Sequence, residues 1–203
     1  MKIQPPDSKG IPPEERIEEA VAKLRAAGTK GELGEAVASE ILKYSLYELQ
    51  VIGGKVRQEI DKLPSPYREK VRPYFQQQLF DIYNRLMSMQ RSGEFSKMKA
   101  KVKDPALFEE YLDMLPGGCF NDPESTGTDF NFEDPVKSLF YYLLSCYTMF
   151  VLDEPGHPVG TPFPGGFAVG KRGDEYYCPI RDKEEEVPFS ICNFCPAKQM
   201  EGV

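Results

Sequence analysis

The 203 residues carry 25 Lys and Arg against 32 Asp and Glu, a net charge of −7. That acid excess argues against nucleic acid or an anionic membrane surface as a partner, since both require a cationic face. A protein partner is left open, and 40% hydrophobic with 12% aromatic residues is enough to build a core.

Residues 1–12, with Pro5, Pro6 and Pro12, are expected to form a disordered lead-in. They hold no apolar stretch of signal-peptide length, and the longest apolar run, Leu139 to Leu152, falls short of the roughly 20 residues of a membrane span. A soluble cytoplasmic protein is expected. From Pro13 the pattern is helical: Ile17, Ala20, Val21 and Leu24 fall at i, i+3, i+4 and i+7, and Gly28 supplies a stop. A second helix is predicted through Leu33, Val37, Ile41, Tyr44, Leu49 and Ile52, ending near Gly53-Gly54. A short continuation through Val56 and Ile60 runs into Pro64-Ser65-Pro66.

A long helix is predicted through Val71, Phe75, Leu79, Ile82, Leu86 and Met89, with Pro73 in its first turn or at a kink. Asp104-Pro105 and Asp134-Pro135 both read as an N-cap followed by proline at the first helical position. The first opens a short helix around Leu107, Phe108, Tyr111 and Leu112. The second opens a helix over 135–152 that is apolar almost all round and belongs at the centre of a bundle.

After Leu152 the composition changes. From Pro155 to Val203 there are seven Pro and seven Gly, and a segment so rich in both rarely orders alone. Phe167–Val169 and Glu175–Ile180 read as a hairpin around a Gly-Lys-Arg-Gly-Asp turn. The expected fold is mainly α: a bundle-like helical domain over 13–152, with a small loop-rich segment over 153–203 that contains a β-hairpin and a metal site.

The metal site is read from Cys178, Cys192 and Cys195, spaced C-x13-C-x2-C. A two-residue gap lets both thiolates of one turn reach a single ion, and zinc takes four ligands in a tetrahedron. The fourth is expected to be His157, the sole histidine, held between Pro155 and Pro158, with Cys119, in a Leu-Pro-Gly-Gly-Cys loop before the last helix, as its competitor. The other ring nitrogen of His157 would bond a backbone carbonyl or a carboxylate such as Asp153 or Glu154. Cys146, inside the apolar helix, reads as a small core residue. An iron–sulfur cluster is the alternative cofactor.

The stretches "FVLDEPGHPVGTPFPGG" and "YYCPIRDKEEEVPFSICNFCPAKQ" resemble the C-terminal signature of an uncharacterised family from methanogenic archaea. The resemblance covers roughly residues 150–199. It implies a cytoplasmic archaeal protein with no assigned activity, and points to His157, Cys178, Cys192 and Cys195 as a set.

Several look-alikes fail on their physics. Gly165 to Arg172 satisfies G-x-x-x-x-G-K, but Arg172 stands where Ser or Thr should hold magnesium, and a hairpin follows in place of a helix. One histidine cannot build H-E-x-x-H. Cys192 to Cys195 as a redox pair lacks the strand-then-helix setting. Glu14-Glu15-Glu18-Glu19 and Glu184-Glu185-Glu186 read as solvated faces. With four protein ligands a zinc site is closed, which favours a binding or scaffold protein. The alternatives are a zinc enzyme with an open position and an iron–sulfur electron-transfer protein.

Overall fold

In the computed structural model, residues 11–121, 132, 134–184 and 187–202 are described; most of the expected lead-in and residues 122–131 fall outside them. Pro13 at the first helical position and Glu14 and Glu15 in the first turn open α1 (Pro13–Arg25), which buries Ile17, Ala20, Val21 and Leu24. Helix α2 (Lys30–Ile41) begins on a capping box: Thr29 Oγ1 accepts the Glu32 N–H, and the Glu32 carboxylate accepts the Thr29 N–H at 3.1 Å.

The single helix expected from Leu33 to Ile52 is broken. Helix α2 ends at Ile41, and a second capping box, Ser45 with Glu48, starts α3 (Leu46–Lys62). Gly53 and Gly54, read as a stop, lie inside α3. Glycine there costs about 1 kcal/mol relative to alanine, but a Cβ on Gly53 would stand 3.0 Å from the Phe80 ring, so its absence lets the two helices approach.

Helix α4 (Tyr67–Gln76), a π-helical turn (Gln77–Asp81) and α5 (Ile82–Ser92) form the long helix expected through Val71 and Met89. Pro73 lies inside α4, where it removes one donor from the ladder, and the π turn begins four residues later. Gly93, at φ 70°, closes α5 in the left-handed conformation.

The segment after α5 satisfies the free amides at the start of α2. The Lys30 N–H donates to the Ala100 carbonyl at 2.8 Å and the Gly31 N–H to the Met98 carbonyl at 3.0 Å. A Cβ on Gly31 would lie 2.1 Å from the Phe95 carbonyl oxygen. Backbone, unlike a side-chain tip, cannot turn aside. Gly31→Ala is therefore expected to destabilise the protein by about 2 to 3 kcal/mol and to lower Tm by about 5 °C or more. A thermal melt checks this, and an unchanged midpoint would show that the two backbones do not meet in this way.

Helix α6 (Pro105–Phe120) starts as predicted, with the Asp104 carboxylate accepting the Leu107 N–H at 3.0 Å, but it is longer than expected. It continues through Pro116-Gly117-Gly118 because the bare glycines admit the Phe189 ring and the Tyr142 hydroxyl, each under 3 Å from where a Cβ would sit. Cys119, expected in a loop, is thus helical and buried.

Helix α7 (Pro135–Cys146), capped by Asp134, passes into a second π turn (Tyr147–Val151). From Leu139 to Val151 every side chain except Tyr141 is buried, and α7 packs on α1, α2 and α6. This is the expected central helix, and Cys146 is one of its core residues. The Tyr111 hydroxyl, fully buried, donates to the Tyr142 carbonyl at 2.7 Å. At the exit of the π turn Asp153 adopts φ 57° and its carboxylate meets the buried Lys30 ammonium at 2.5 Å.

Beyond α7 the sheet has three strands in the order β1 (Gly170–Arg172), β2 (Glu175–Cys178) and β3 (Lys198–Gln199). The expected hairpin exists with different strands. Arg172 pairs with Glu175, so the turn is only Gly173-Asp174, with Gly173 at φ 60°. Residues 167–169 instead fold back on 160–163, the Val169 N–H donating to the Thr161 carbonyl at 3.0 Å. Strand β3 pairs in parallel with β2, placing Cys178 opposite Gln199. Val169, Cys178 and Ala197 form a small buried cluster. Ile191 and Phe194 belong to the helical core, Phe194 standing edge-on to Tyr111 at 5.1 Å.

Candidate functional site

Each of the two Cys-Pro dipeptides turns its backbone toward its own sulfur. Proline has no N–H and fixes φ, so the first amide able to reach back is that of the residue after it. The Ile180 N–H faces the Cys178 sulfur and the Ala197 N–H faces the Cys195 sulfur. A further N–H reaches Cys195 from Gly156, immediately before His157, so the histidine loop is joined to the thiol segment. Gly156 is close enough to the following turn that a Cβ on it would lie 2.8 Å from the Ile191 side chain.

Cys192 lies in a short 3-10 turn (Ile191–Phe194) that ends at Cys195. Ser190 caps it by accepting the Cys192 N–H, and the Cys195 N–H donates to the Cys192 carbonyl at 3.2 Å. Arg181 clamps this turn from outside, donating to the Cys195 carbonyl at 3.3 Å and the Asn193 carbonyl at 3.2 Å. The residues that shape the site, Gly156, Ile180, Arg181 and Ala197, were missed by sequence reasoning. The repeated Cys-Pro pair was the signal that could have found two of them.

Burial raises the Cys178 thiol above its ordinary range. The Ile180 N–H and His157 oppose that rise, and Cys195 and Cys192 reinforce it. Burial also raises Cys195, opposed by the Ala197 and Gly156 amides and by His157, and reinforced by Cys192. All four predicted residues therefore share one electrostatic neighbourhood. His157 is itself buried, its ring edge-on to Phe163 at 5.6 Å. Asp153 and Glu154, the carboxylates suggested for orienting it, are engaged by cations: Asp153 by Lys30 and Lys103, Glu154 by Arg85 at 2.8 and 2.9 Å.

Among the described residues no three His, Cys, Asp or Glu side chains stand in a geometry that could hold an ion. Cys119, the competitor, lies in the helical core, where burial alone drives its thiol far up. The declined phosphate-loop look-alike is an edge strand, with Lys171 lying over the Tyr176 ring. Glu14, Glu15, Glu18 and Glu19 are exposed, as expected, while Glu185 and Glu186 fall outside the described residues. No helix among the described residues is long and apolar enough to cross a membrane.

The chain is 37% identical over 135 residues to a UPF0305 protein of Methanothermobacter thermautotrophicus, covering 60% of this chain and 85% of that one. A UPF0305 protein of Methanopyrus kandleri is 29% identical over 136 residues, 67% and 86% of the two chains. One from Methanocaldococcus jannaschii is 24% identical over 170 residues, 84% and 96%. No solved structure matches the chain. A family profile described as an uncharacterised protein conserved in archaea, DUF2115, matches residues 29–200, from the cap of α2 through the thiol segment to β3. The chain belongs to that archaeal family.

Proposed function

We propose that this is a non-enzymatic binding or scaffold protein in which Cys178, Cys192, Cys195 and His157 hold a zinc ion that staples the C-terminal segment to the helical body. The observation that carries the reading is proximity: Cys195 packs against the buried cluster that holds Cys178, while His157 and Cys192 border one small cavity, and backbone N–H groups are directed at the Cys178 and Cys195 sulfurs. Amide donors stabilise a thiolate, the form that binds metal, and have little to offer a neutral thiol. The reading requires the four side chains to turn toward a common point.

Metal analysis of the purified chain tests it. One zinc per chain is expected in wild type and in Cys119→Ser, with loss in Cys178→Ser, Cys192→Ser, Cys195→Ser and His157→Ala. Wild-type protein without zinc, or full zinc in Cys195→Ser, overturns the proposal. A visible absorption band in protein purified without oxygen would assign an iron–sulfur cluster instead. A cavity of ≈ 60 Å³ bordered by His157, Cys192, Tyr142 and Glu184 favours one second reading, in which three thiolates hold zinc and the fourth position is open with His157 as an acid–base group. In that case His157→Ala keeps its zinc.

A further inference from the structure

The two π turns, Gln77–Asp81 and Tyr147–Val151, both contribute to one cleft against the C-terminal segment. Its volume is ≈ 330 Å³, and Gln78, Ile82, Thr148, Val159, Lys171 and Tyr176 are among its walls. That volume falls within the range of small-molecule sites, and the junction between two parts of a chain is where such sites recur. π turns, too, concentrate at functional positions, because the extra residue displaces side chains from the regular helical stripe.

Two polar groups border the cleft without a hydrogen-bond or ion-pair partner among the described residues. The Gln78 amide nitrogen is buried and has no hydrogen-bond partner among the described residues. A buried donor left unpaired costs about 1 to 3 kcal/mol, so an acceptor from outside the chain, water or a ligand that displaces it, is expected to meet it. Gln78 borders both the cleft and a smaller void behind it, and its terminal torsion is broad enough to turn the amide toward either. Lys171 lies with its ammonium 4.9 Å from the Tyr176 ring centroid, with no carboxylate partner among the described residues. The one carboxylate in the wall, Glu154, is paired with Arg85. The cleft thus has one exposed cation and, within a turn of the Gln78 amide, one orphan donor, beside the apolar Ile82 and Val159.

We propose that this cleft binds a small organic anion, a carboxylate or a phosphate carried on an apolar or ring-shaped body. The anionic group meets Lys171, an oxygen of the ligand accepts from Gln78, and the body rests on Val159 and Ile82. None of these four residues is a proposed metal ligand, although Gly156 and Pro158, on either side of His157, also line the cleft.

The test is a titration of the full-length protein with phenyl phosphate, with benzoate and with neutral benzyl alcohol, followed by amide chemical shifts. Saturable binding of at least one of the two anions is expected at millimolar concentrations, with shifts at the Gln78 side chain, Lys171 and Tyr176, and none with benzyl alcohol. The tighter of the two identifies phosphate or carboxylate. Lys171→Gln should weaken binding about fivefold or more, as loss of a charge-assisted contact does. Gln78→Leu should weaken binding while leaving Tm unchanged or higher, because it removes an orphan polar group; a merely structural glutamine would lower Tm. Equal binding of all three probes, shifts confined to other surfaces, or full affinity in Lys171→Gln overturns the proposal.

Discussion

Asp153→Ala is expected to remove about 3 to 5 kcal/mol of stability, the cost of leaving a buried charge without its partner. The Lys30 side chain is only 8% exposed and its ammonium meets the Asp153 carboxylate. Lys103, which shares that carboxylate at 3.0 Å, is 75% exposed and loses little when it is removed. Asp153 also sits at φ 57°, a conformation that alanine tolerates worse than asparagine. Asp153→Asn therefore removes the charge and keeps the backbone, and should cost less than Asp153→Ala. Adding Lys30→Met to Asp153→Asn should restore most of the loss, since the stranded cation is then gone. Urea unfolding of the four proteins measures this. An Asp153→Ala protein within about 1 kcal/mol of wild type would show that Lys30 finds water or another partner when Asp153 is gone.

The second large effect concerns the proposed zinc site. Chelation, or Cys178→Ser combined with Cys195→Ser, should open the C-terminal segment to proteases while the far-ultraviolet helical signal stays near wild type. Apart from the sheet, the hairpin region rests on a small cluster of Val169, Cys178 and Ala197 with Phe163, Tyr176, Ile180 and Cys195 packed against it, two of which, Cys178 and Cys195, are proposed ligands. The helices carry a separate and much larger core. Ile191 and Phe194 reach into that core, so the first cuts should fall between about 160 and 185, with the anchor yielding later. Collapse of the helical signal on chelation would mean that the thiol segment is integral to the main core.

What the sequence disclosed depended on whether a single local rule decided the outcome. The stripe of α1 and the Asp-Pro starts of α6 and α7 were readable because a period and a cap need no distant partner. Gly53-Gly54 and Pro116-Gly117-Gly118 misled because glycine can mark a stop or a close approach, and Phe80, Tyr142 and Phe189, all remote in sequence, choose between them. The break after α2 was legible in the Ser45–Glu48 box and was missed because the apolar period continues across it. The π turns leave no signal in a 3.6-residue period. At the site, spacing and composition identified the four residues that share one neighbourhood, whereas the N–H groups from Gly156, Ile180 and Ala197 are backbone features that side-chain motifs do not encode.

The parallel pairing of β2 with β3 has a consequence in polymer terms. Parallel neighbours cannot be joined by a tight turn, so the chain leaves the sheet at Cys178 and comes back to it only at Lys198. This excursion is a loop with Cys178 and Cys195 at its neck, crossed by the two residues of β3, by the Met200 N–H on the Cys178 carbonyl and by the Arg181 and Gln199 side chains. Closing a loop of about fifteen residues costs the free chain roughly 3 kcal/mol of configurational entropy. A link across the neck removes that cost by restricting the open chain, whatever contacts the closed one makes. The proposed staple would therefore draw this part of its strength from the contour between its ligands, which substitutions that keep the loop's length leave unchanged.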